Sequence, residues 1–460
     1  MKVPYLKMLL KMLRAEGAGS LLRRTQDRLE EARCRRLFTS LGRNRFPEFA
    51  PRCIAVLNYL SSPPAARLGG VPLQLAARLS EEARERPVAL LYPIGRRYRL
   101  ELSAGSARCA LEFERPQPSS PSPTADSFER VVTAALALLK TNAVHLEGAA
   151  GVPLESVARL AQSGIGFVLS LHDFALFCLR PNLLEHPQMR FCDYCMDLAR
   201  CHRCLSTSWP AADAETQRTH REAARRVLSS ALAVVYPSEF LRSRHRELFS
   251  GYQTQRSGNV REYVIEPAAM APQAFDSVSA RHSAAYNVAF VGAVTVPKGA
   301  LLFEETVERV RRTAPGAFRW SVLGGGEIEV LRRLRATVDV TVYGYYRAGT
   351  LSGLLRRRAV DLALLPSVVP ESFGLTLSEC WAAGVPVVAF DHGALSERIS
   401  RHGGGVLVSL QAGSRGVSEA LEAIAAGRRK LPAVRASPLP TPHTTAAAYR
   451  RVYEQLGLLT

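Results

Sequence analysis

Residues 361–398 read DLALLPSVVPESFGLTLSECWAAGVPVVAFDHGALSER. DLALLPS is a short apolar run without alternation, the pattern of a strand buried on both faces. Pro370 and Gly374 punctuate PESFG, which predicts a loop. LTLSECWAAG then predicts a helix, stopped by Gly384, Val385 and Pro386. VPVVAF predicts a second buried strand. Strand, crossover helix and strand form a right-handed parallel unit. Ligands of such a unit bind in the crevice at the carboxyl ends of the strands. The loop from Pro370 to Leu375 falls there, just before a helix N-terminus, where free N–H groups and the helix dipole suit an anion.

Two carboxylates, Glu371 and Glu379, mark the loop with seven residues between them. For Glu379 two roles are open. It binds a ligand, or it closes a capping box with Thr376 as N-cap. Glu371 follows Pro370 in the loop and has no comparable structural use. Read as E-S-F-G-L-T-L-S-E followed by A-A-G-V-P-V-V, the stretch resembles the sugar-nucleotide-binding region of the family 4 retaining glycosyltransferases. That family carries E-x7-E with FG after the first Glu. The resemblance implies that Glu371 touches the donor sugar and Glu379 the ribose hydroxyls. It also implies that Phe373, Gly374, Leu375 and Thr376 line the donor.

The chain has 460 residues, which predicts two domains rather than one. Hydrophobic residues are 47% and charged residues 22%, ordinary for a globular protein. The net charge of +19 is not ordinary and calls for an acidic partner. No nucleic-acid motif accompanies it, so a specific nucleic-acid partner is not expected. Nine cysteines do not make a disulfide scaffold. No apolar run reaches the roughly 20 residues of a membrane-spanning helix. Lys7, Lys11 and Arg14 interrupt the first apolar stretch, so no signal peptide is expected. A cytoplasmic protein follows, peripheral at the inner face of the membrane.

Residues 1–48 form a basic N-terminal extension, with twelve Lys and Arg against five Asp and Glu. Leu6, Leu9, Leu10 and Leu13 share one helical face, and Lys7, Lys11 and Arg14 lie on another. This amphipathic helix suits an anionic membrane surface, or packs its leucines on its own protein. Residues 49–267 read as a first doubly wound domain. CIAVLNYL predicts a strand, Gly69 and Gly70 a turn that admits a phosphate, and VPLQLAARLSEEARE a helix. Further strands are predicted at PVALLYP, RLELS, AVHLEG and GFVLSLHDF. His172 and Asp173 end the last of these, and His145 sits at a similar strand end.

A Cys-rich insertion, 178–204, follows. Cys192-x2-Cys195-x5-Cys201-x2-Cys204 pairs two CxxC units, the recurrent arrangement of a tetrahedral thiolate zinc site. Cys178 and His202 are spare ligands. Free thiols and disulfides are the other readings of the cluster. Four thiolates leave no open position, so such a zinc is structural and no catalytic metal is expected.

Residues 268–284 read as a linker and 285–440 as the second, nucleotide-sugar-binding domain. There AVTVPKG places Lys298 and Gly299 before a helix, where a lysine meets a diphosphate as a point charge. WSVLGGGE supplies another glycine turn. The last stretch, 441–460, predicts a helix that returns to the first domain.

The family resemblance covers most of 53–458. It implies a GT-B arrangement, two Rossmann-like domains facing a cleft. It implies transfer of a sugar, with retention, from a nucleotide sugar to an acceptor hydroxyl on a glycan or lipid, in cell-surface polysaccharide or glycolipid assembly. Gly69 and Gly70 would lie near the donor phosphates and His172 near the sugar, giving Glu371 and His172 as the catalytic pair. Family members often read G-R-x4-K-G where this chain has Gly292, Ala293, Lys298 and Gly299. Half of the usual cationic clamp is absent at Ala293. A non-catalytic protein that binds a sugar nucleotide or a partner is the alternative.

Overall fold

The stretch 361–398 forms a strand at Leu362–Leu365, a helix at Leu375–Ala382 and a strand at Val387–Phe390. A further helix follows at Gly393–His402. All four residues of each of the two strands are buried, as a parallel sheet covered on both faces requires. The structure, a computed structural model, describes residues 3–36, 39–40, 54–58, 70–95, 97–114, 125–250, 260–269, 285–434 and 439–459. Gly69 and most of the 268–284 linker lie outside the described residues.

The chain divides into two compact units. The first comprises Met1–Leu29, Met189–Phe191 and Ala269–Leu439, and the second Glu30–Gln188, Cys192–Ala268 and Pro440–Thr460. The first contains a parallel sheet in the order Val340–Gly344, Phe318–Leu323, Tyr286–Val291, Leu362–Leu365, Val387–Phe390, Gly405–Val408. The strand order reverses between Tyr286–Val291 and Leu362–Leu365, which is where a doubly wound sheet opens its ligand crevice. One face packs Phe290, Phe303 and Trp320 with the helix Ala300–Thr313. The ring centroids of Phe303 and Trp320 lie 5.8 Å apart, edge to face. Each such buried aromatic contributes roughly 1.5–3 kcal/mol. The other face holds Leu377, Cys380 and Trp381 of the helix Leu375–Ala382.

The N-terminal residues join this unit. The helix Val3–Glu16 packs on the helix Ile328–Ala336, burying Ala15 and Glu16. From the next helix, Ala18–Arg36, Arg23 donates to the carbonyls of Tyr345 (2.5 Å) and Tyr343 (2.9 Å). Arg24 pairs with Glu16 at 3.0 Å. Met8, Leu10 and Leu13 stay exposed, whereas the side chains of Leu6, Lys7 and Leu9 lie outside the described residues.

The second unit has a sheet in the order Thr39–Ser40, Ala107–Glu114, Arg97–Ala104, Val88–Ile94, Ile54–Leu57, Ala143–Glu147, Gly166–Ser170, Ala233–Tyr236, Arg261–Val264. Its body is parallel, and Val88–Glu114 forms an antiparallel meander at one side. ARCALEFE at 107–114 supplies a strand that the sequence reading passed over. The helix Pro442–Gln455 is capped by Thr441 in a capping box with Thr444. It packs on the helix Gly70–Glu85 and buries Tyr449 and Tyr453 against Val168 and Val235. Both units are therefore Rossmann-like.

Candidate functional site

At the switch point of the first sheet two loops meet. One follows Tyr286–Val291 and carries Gly292 and Lys298. The other follows Leu362–Leu365 and carries Ser367 and Glu371. They are joined by a hydrogen bond from the amide of Val368 to the carbonyl of Pro297 at 3.0 Å. Gly299 has φ +81, and a Cβ on it would lie 1.9 Å from the carbonyl oxygen of Pro366, so this close approach of the loops requires glycine. The Nζ of Lys298 contacts Oε1 of Glu371, and the Oγ of Ser367 donates to the same oxygen at 2.7 Å. Burial opposes ionisation of Glu371, but the ammonium and the hydroxyl outweigh it and hold the carboxyl below its usual range.

The loop of Glu371 is fixed from below. Buried Arg398 donates to the carbonyl of Gly374 at 3.0 Å and to the Oγ of Ser378 at 2.8 Å. Its guanidinium stacks 3.9 Å from the centre of the Phe373 ring. Gly374, at φ +81, starts the helix, and a Cβ there would lie 2.3 Å from Cδ2 of Leu395. The helix starts at Leu375, so Thr376 is inside it and caps nothing. The capping-box reading of Glu379 is thereby corrected: the helix begins one residue before Thr376, directly after Gly374, so the Thr376 hydroxyl has no N-cap position to fill. Instead Glu379 accepts the amide of Gly349. Burial pushes its carboxyl up to about 7. Thr376 lies beside Gly292, with its Oγ1 3.7 Å from where a Cβ on that glycine would stand.

His392 is a residue the sequence reading missed. Its Nε2 donates to the carbonyl of Ser367 at 2.8 Å, which fixes the tautomer with Nδ1 as acceptor. That Nδ1 is buried and has no hydrogen-bond partner among the described residues. Burial lowers the pKa of the ring, favouring the neutral form.

The second unit has its own buried charge cluster, at the carboxyl ends of Ala143–Glu147 and Gly166–Ser170. His172 Nε2 donates to Oε1 of Glu147 at 2.8 Å, and Arg78 Nη2 donates to Oε2 at 2.8 Å. Burial works against the charge of Glu147, yet Arg78 and His172 overcome it and depress its pKa strongly. The guanidinium of Arg78 lies 3.9 Å from the centre of the Tyr449 ring. His145 is structural. Its ring nitrogens meet Tyr453 Oη at 2.6 Å and Ser170 Oγ at 2.8 Å, and burial pushes its pKa down to about 3. Asp173 accepts the amide of Ala175 at 2.8 Å and so turns the chain after His172. Gly70 is the first residue of the helix Gly70–Glu85.

Cys192 and Cys195 lie in a loop, and Cys201 and Cys204 on the helix Leu198–Ser206. All four, with Cys178, are free thiols lining one recess. Among the described residues no group of three or more His, Cys, Asp and Glu stands in metal-binding geometry. None of the helices searched among them is long and apolar enough to cross a membrane.

Residues 285–426 match the family described as Glycosyl transferases group 1. The D-inositol 3-phosphate glycosyltransferase of Segniliparus rotundus is 33% identical over 151 residues, which is 31% of this chain and 33% of that protein. The match thus spans about a third of the length of that curated relative. Sucrose-phosphate synthase of Thermosynechococcus elongatus superposes with a TM-score of 0.62 at 16% identity, over 89% of this chain and 100% of the other. Anabaena HepE in complex with UDP and glucose gives 0.54 at 15%, over 88% and 99%. The catalytic domain of Arabidopsis thaliana starch synthase IV, bound to ADP and acarbose, gives 0.55 at 12%, over 88% and 99%. With two Rossmann-like sheets and these likenesses, the fold is that of the GT-B glycosyltransferases.

Proposed function

We propose that this protein is a glycosyltransferase that moves a sugar from a nucleotide-sugar donor to an acceptor hydroxyl. The observation that carries the reading is the joining of Lys298, Ser367 and Glu371 at the switch point of the first sheet. They lie within the segment that matches the group 1 glycosyltransferases. The leaving group of such a transfer is a nucleoside diphosphate, whose growing negative charge must be stabilised. Lys298 is a point charge for that purpose, and the helix opening at Gly374 adds free N–H groups and a positive dipole end. Glu371, kept ionised, accepts hydrogen bonds from the sugar hydroxyls. Glu379 accepts those of the ribose. His172, oriented through Glu147, is the second catalytic group, with Nδ1 left as its acceptor.

The UDP and glucose bound by Anabaena HepE and the ADP and acarbose bound by starch synthase IV support a nucleotide-sugar donor and a glycan acceptor. Retention at the anomeric carbon, a hexosyl donor and a place in polysaccharide or glycolipid assembly extend the proposal. Exposed Met8, Leu10 and Leu13 on the basic helix Val3–Glu16 support docking on an anionic membrane, which would confine enzyme and lipid-borne acceptor to one surface.

A non-catalytic sugar-nucleotide-binding protein is the second reading, favoured by Ala293 where an Arg of the clamp would stand. Incubation with a panel of UDP-, ADP- and GDP-sugars separates the two. Release of nucleoside diphosphate at enzyme turnover supports transfer, and binding without release supports the alternative.

A further inference from the structure

We propose that Cys178, Cys192, Cys201 and Cys204 bind a structural zinc ion, with Cys195 outside the ligand set. Five thiols line the recess formed by the 178–204 excursion. Tetrahedral thiolate zinc takes four. The choice among five follows from the donors around each sulfur. A zinc-bound cysteine is a thiolate, and its charge is stabilised by N–H donors from the surrounding chain. The amide of Arg180 reaches Cys178 Sγ at 3.4 Å, and the amide of His186 reaches Cys204 Sγ at 3.3 Å. Cys192 accepts the amides of Tyr194 and Cys195. A guanidinium nitrogen of Arg221 stands 3.7 Å from Cys201 Sγ. Among the described residues no hydrogen bond from an N–H to Cys195 Sγ is found, and this is what separates it from the others, since the thiols of Cys195, Cys201 and Cys204 all donate to backbone carbonyls, at 3.6, 3.6 and 3.9 Å.

The support extends one layer out. Arg221 also donates to the carbonyls of Cys195 (2.8 Å) and Phe177 (3.0 Å), tying the loop and the segment after His172 to the helix Ala214–Ser230. Arg180 and Arg200 line the recess as well, and Arg200 is paired with Glu185 at 2.6 Å. Four thiolates and one zinc carry a net negative charge, which these cations offset. The sulfurs do not stand in closed coordination geometry, so they must swing about their single χ1 bonds to close on an ion. The site would hold Cys178 six residues beyond His172 and so fix the segment that leaves the strand Gly166–Ser170. It is separate from the sugar-transfer proposal and stands if that proposal fails.

The test is metal analysis of the full-length protein, purified without chelators, by plasma mass spectrometry. About one zinc per chain is expected in the wild type and in Cys195→Ser. Cys178→Ser should lose it at least ten-fold. Should Cys178→Ser prove insoluble, cobalt replacement in the wild type and Cys195→Ser decides, since both should show the same thiolate-to-cobalt charge-transfer intensity. A zinc-free wild type, iron in place of zinc, zinc retained in soluble Cys178→Ser, or zinc or charge-transfer intensity lost in Cys195→Ser would each overturn the proposal.

Discussion

Glu379→Gln tests the ribose-binding role through both affinity and pH. The carboxyl of Glu379 titrates near 7 because burial raises it. If only the carboxylate accepts the ribose hydroxyls, about a tenth of the protein is competent at pH 6 and about nine-tenths at pH 8. Donor affinity should therefore rise about ten-fold across that range. At pH 8 the glutamine variant should bind more weakly by roughly 1.5–3 kcal/mol, the worth of a hydrogen bond to a charged group. That corresponds to about 10- to 150-fold in Kd. At pH 6 the gap should narrow, because the wild type has lost its charge there. Calorimetry with an intact nucleotide sugar is the suitable assay, since its diphosphate is esterified at both ends and does not titrate in this range.

Stability should move the other way. The folded-state pKa is raised above the unfolded one, so the contribution of this group is present below about 4.5 and is lost as pH rises through about 7. Glu379→Gln should then be at least as stable as the wild type at pH 8, with a gain on the order of 1–2 kcal/mol after allowance for partial exposure. A wild-type Kd that stays flat from pH 6 to 8, or an unchanged Kd in the variant at pH 8, would refute the ribose-binding role.

Other expected outcomes follow from the two charge clusters and the loops. Lys298→Ala should lower kcat by about 10^2–10^3, as removal of one donor to a developing anion does, and should also lower the denaturation midpoint, because partly buried Glu371 loses the ammonium that keeps it ionised. Glu147→Gln should destabilise the fold by about 3 kcal/mol, because buried Arg78 loses a principal counter-charge. The depressed pKa of Glu147 places the stability that it contributes above its unfolded pKa, to be lost as pH falls, which acid titration of the wild type and this variant will show. Gly374→Ala forces a left-handed residue and a collision with Leu395, and should cost about 1–3 kcal/mol in urea denaturation. Leu10→Asp with Leu13→Asp should abolish co-sedimentation with anionic vesicles while sparing buried Ala15 and Glu16. Equal pelleting of wild type and variant would assign membrane binding elsewhere.

The part of the fold legible in the sequence was the part written in local patterns. Short apolar runs, glycine turns and helix stops marked both Rossmann-like units and placed Glu371 and Lys298 in loops at strand ends and Glu379 on the helix that follows. Residues that act through distant partners left no such mark. Arg398 reads as one charge in a helix, yet it holds the loop of Phe373 and Gly374 from 25 and 24 positions away. Glu147 is the last residue of the strand Ala143–Glu147, and its partner Arg78 lies 69 residues earlier. His392 stood inside the quoted stretch, but only the folded loop brings it to Ser367. The capping-box misreading has a local cause. T-x-x-E fits the box, and Gly374 overrides it because glycine alone reaches φ +81 at that crowded position.

The most direct measurement of the proposed activity is nucleoside diphosphate release from a panel of nucleotide sugars, by the wild type and by Glu371→Gln, with glycan acceptors present. Multiple-turnover release from at least one donor is expected for the wild type, stimulated by acceptor. Loss of about 10^2-fold or more is expected in Glu371→Gln, with the denaturation midpoint retained. Equal turnover in wild type and Glu371→Gln, or binding of a nucleotide sugar with no release by the wild type, would contradict it.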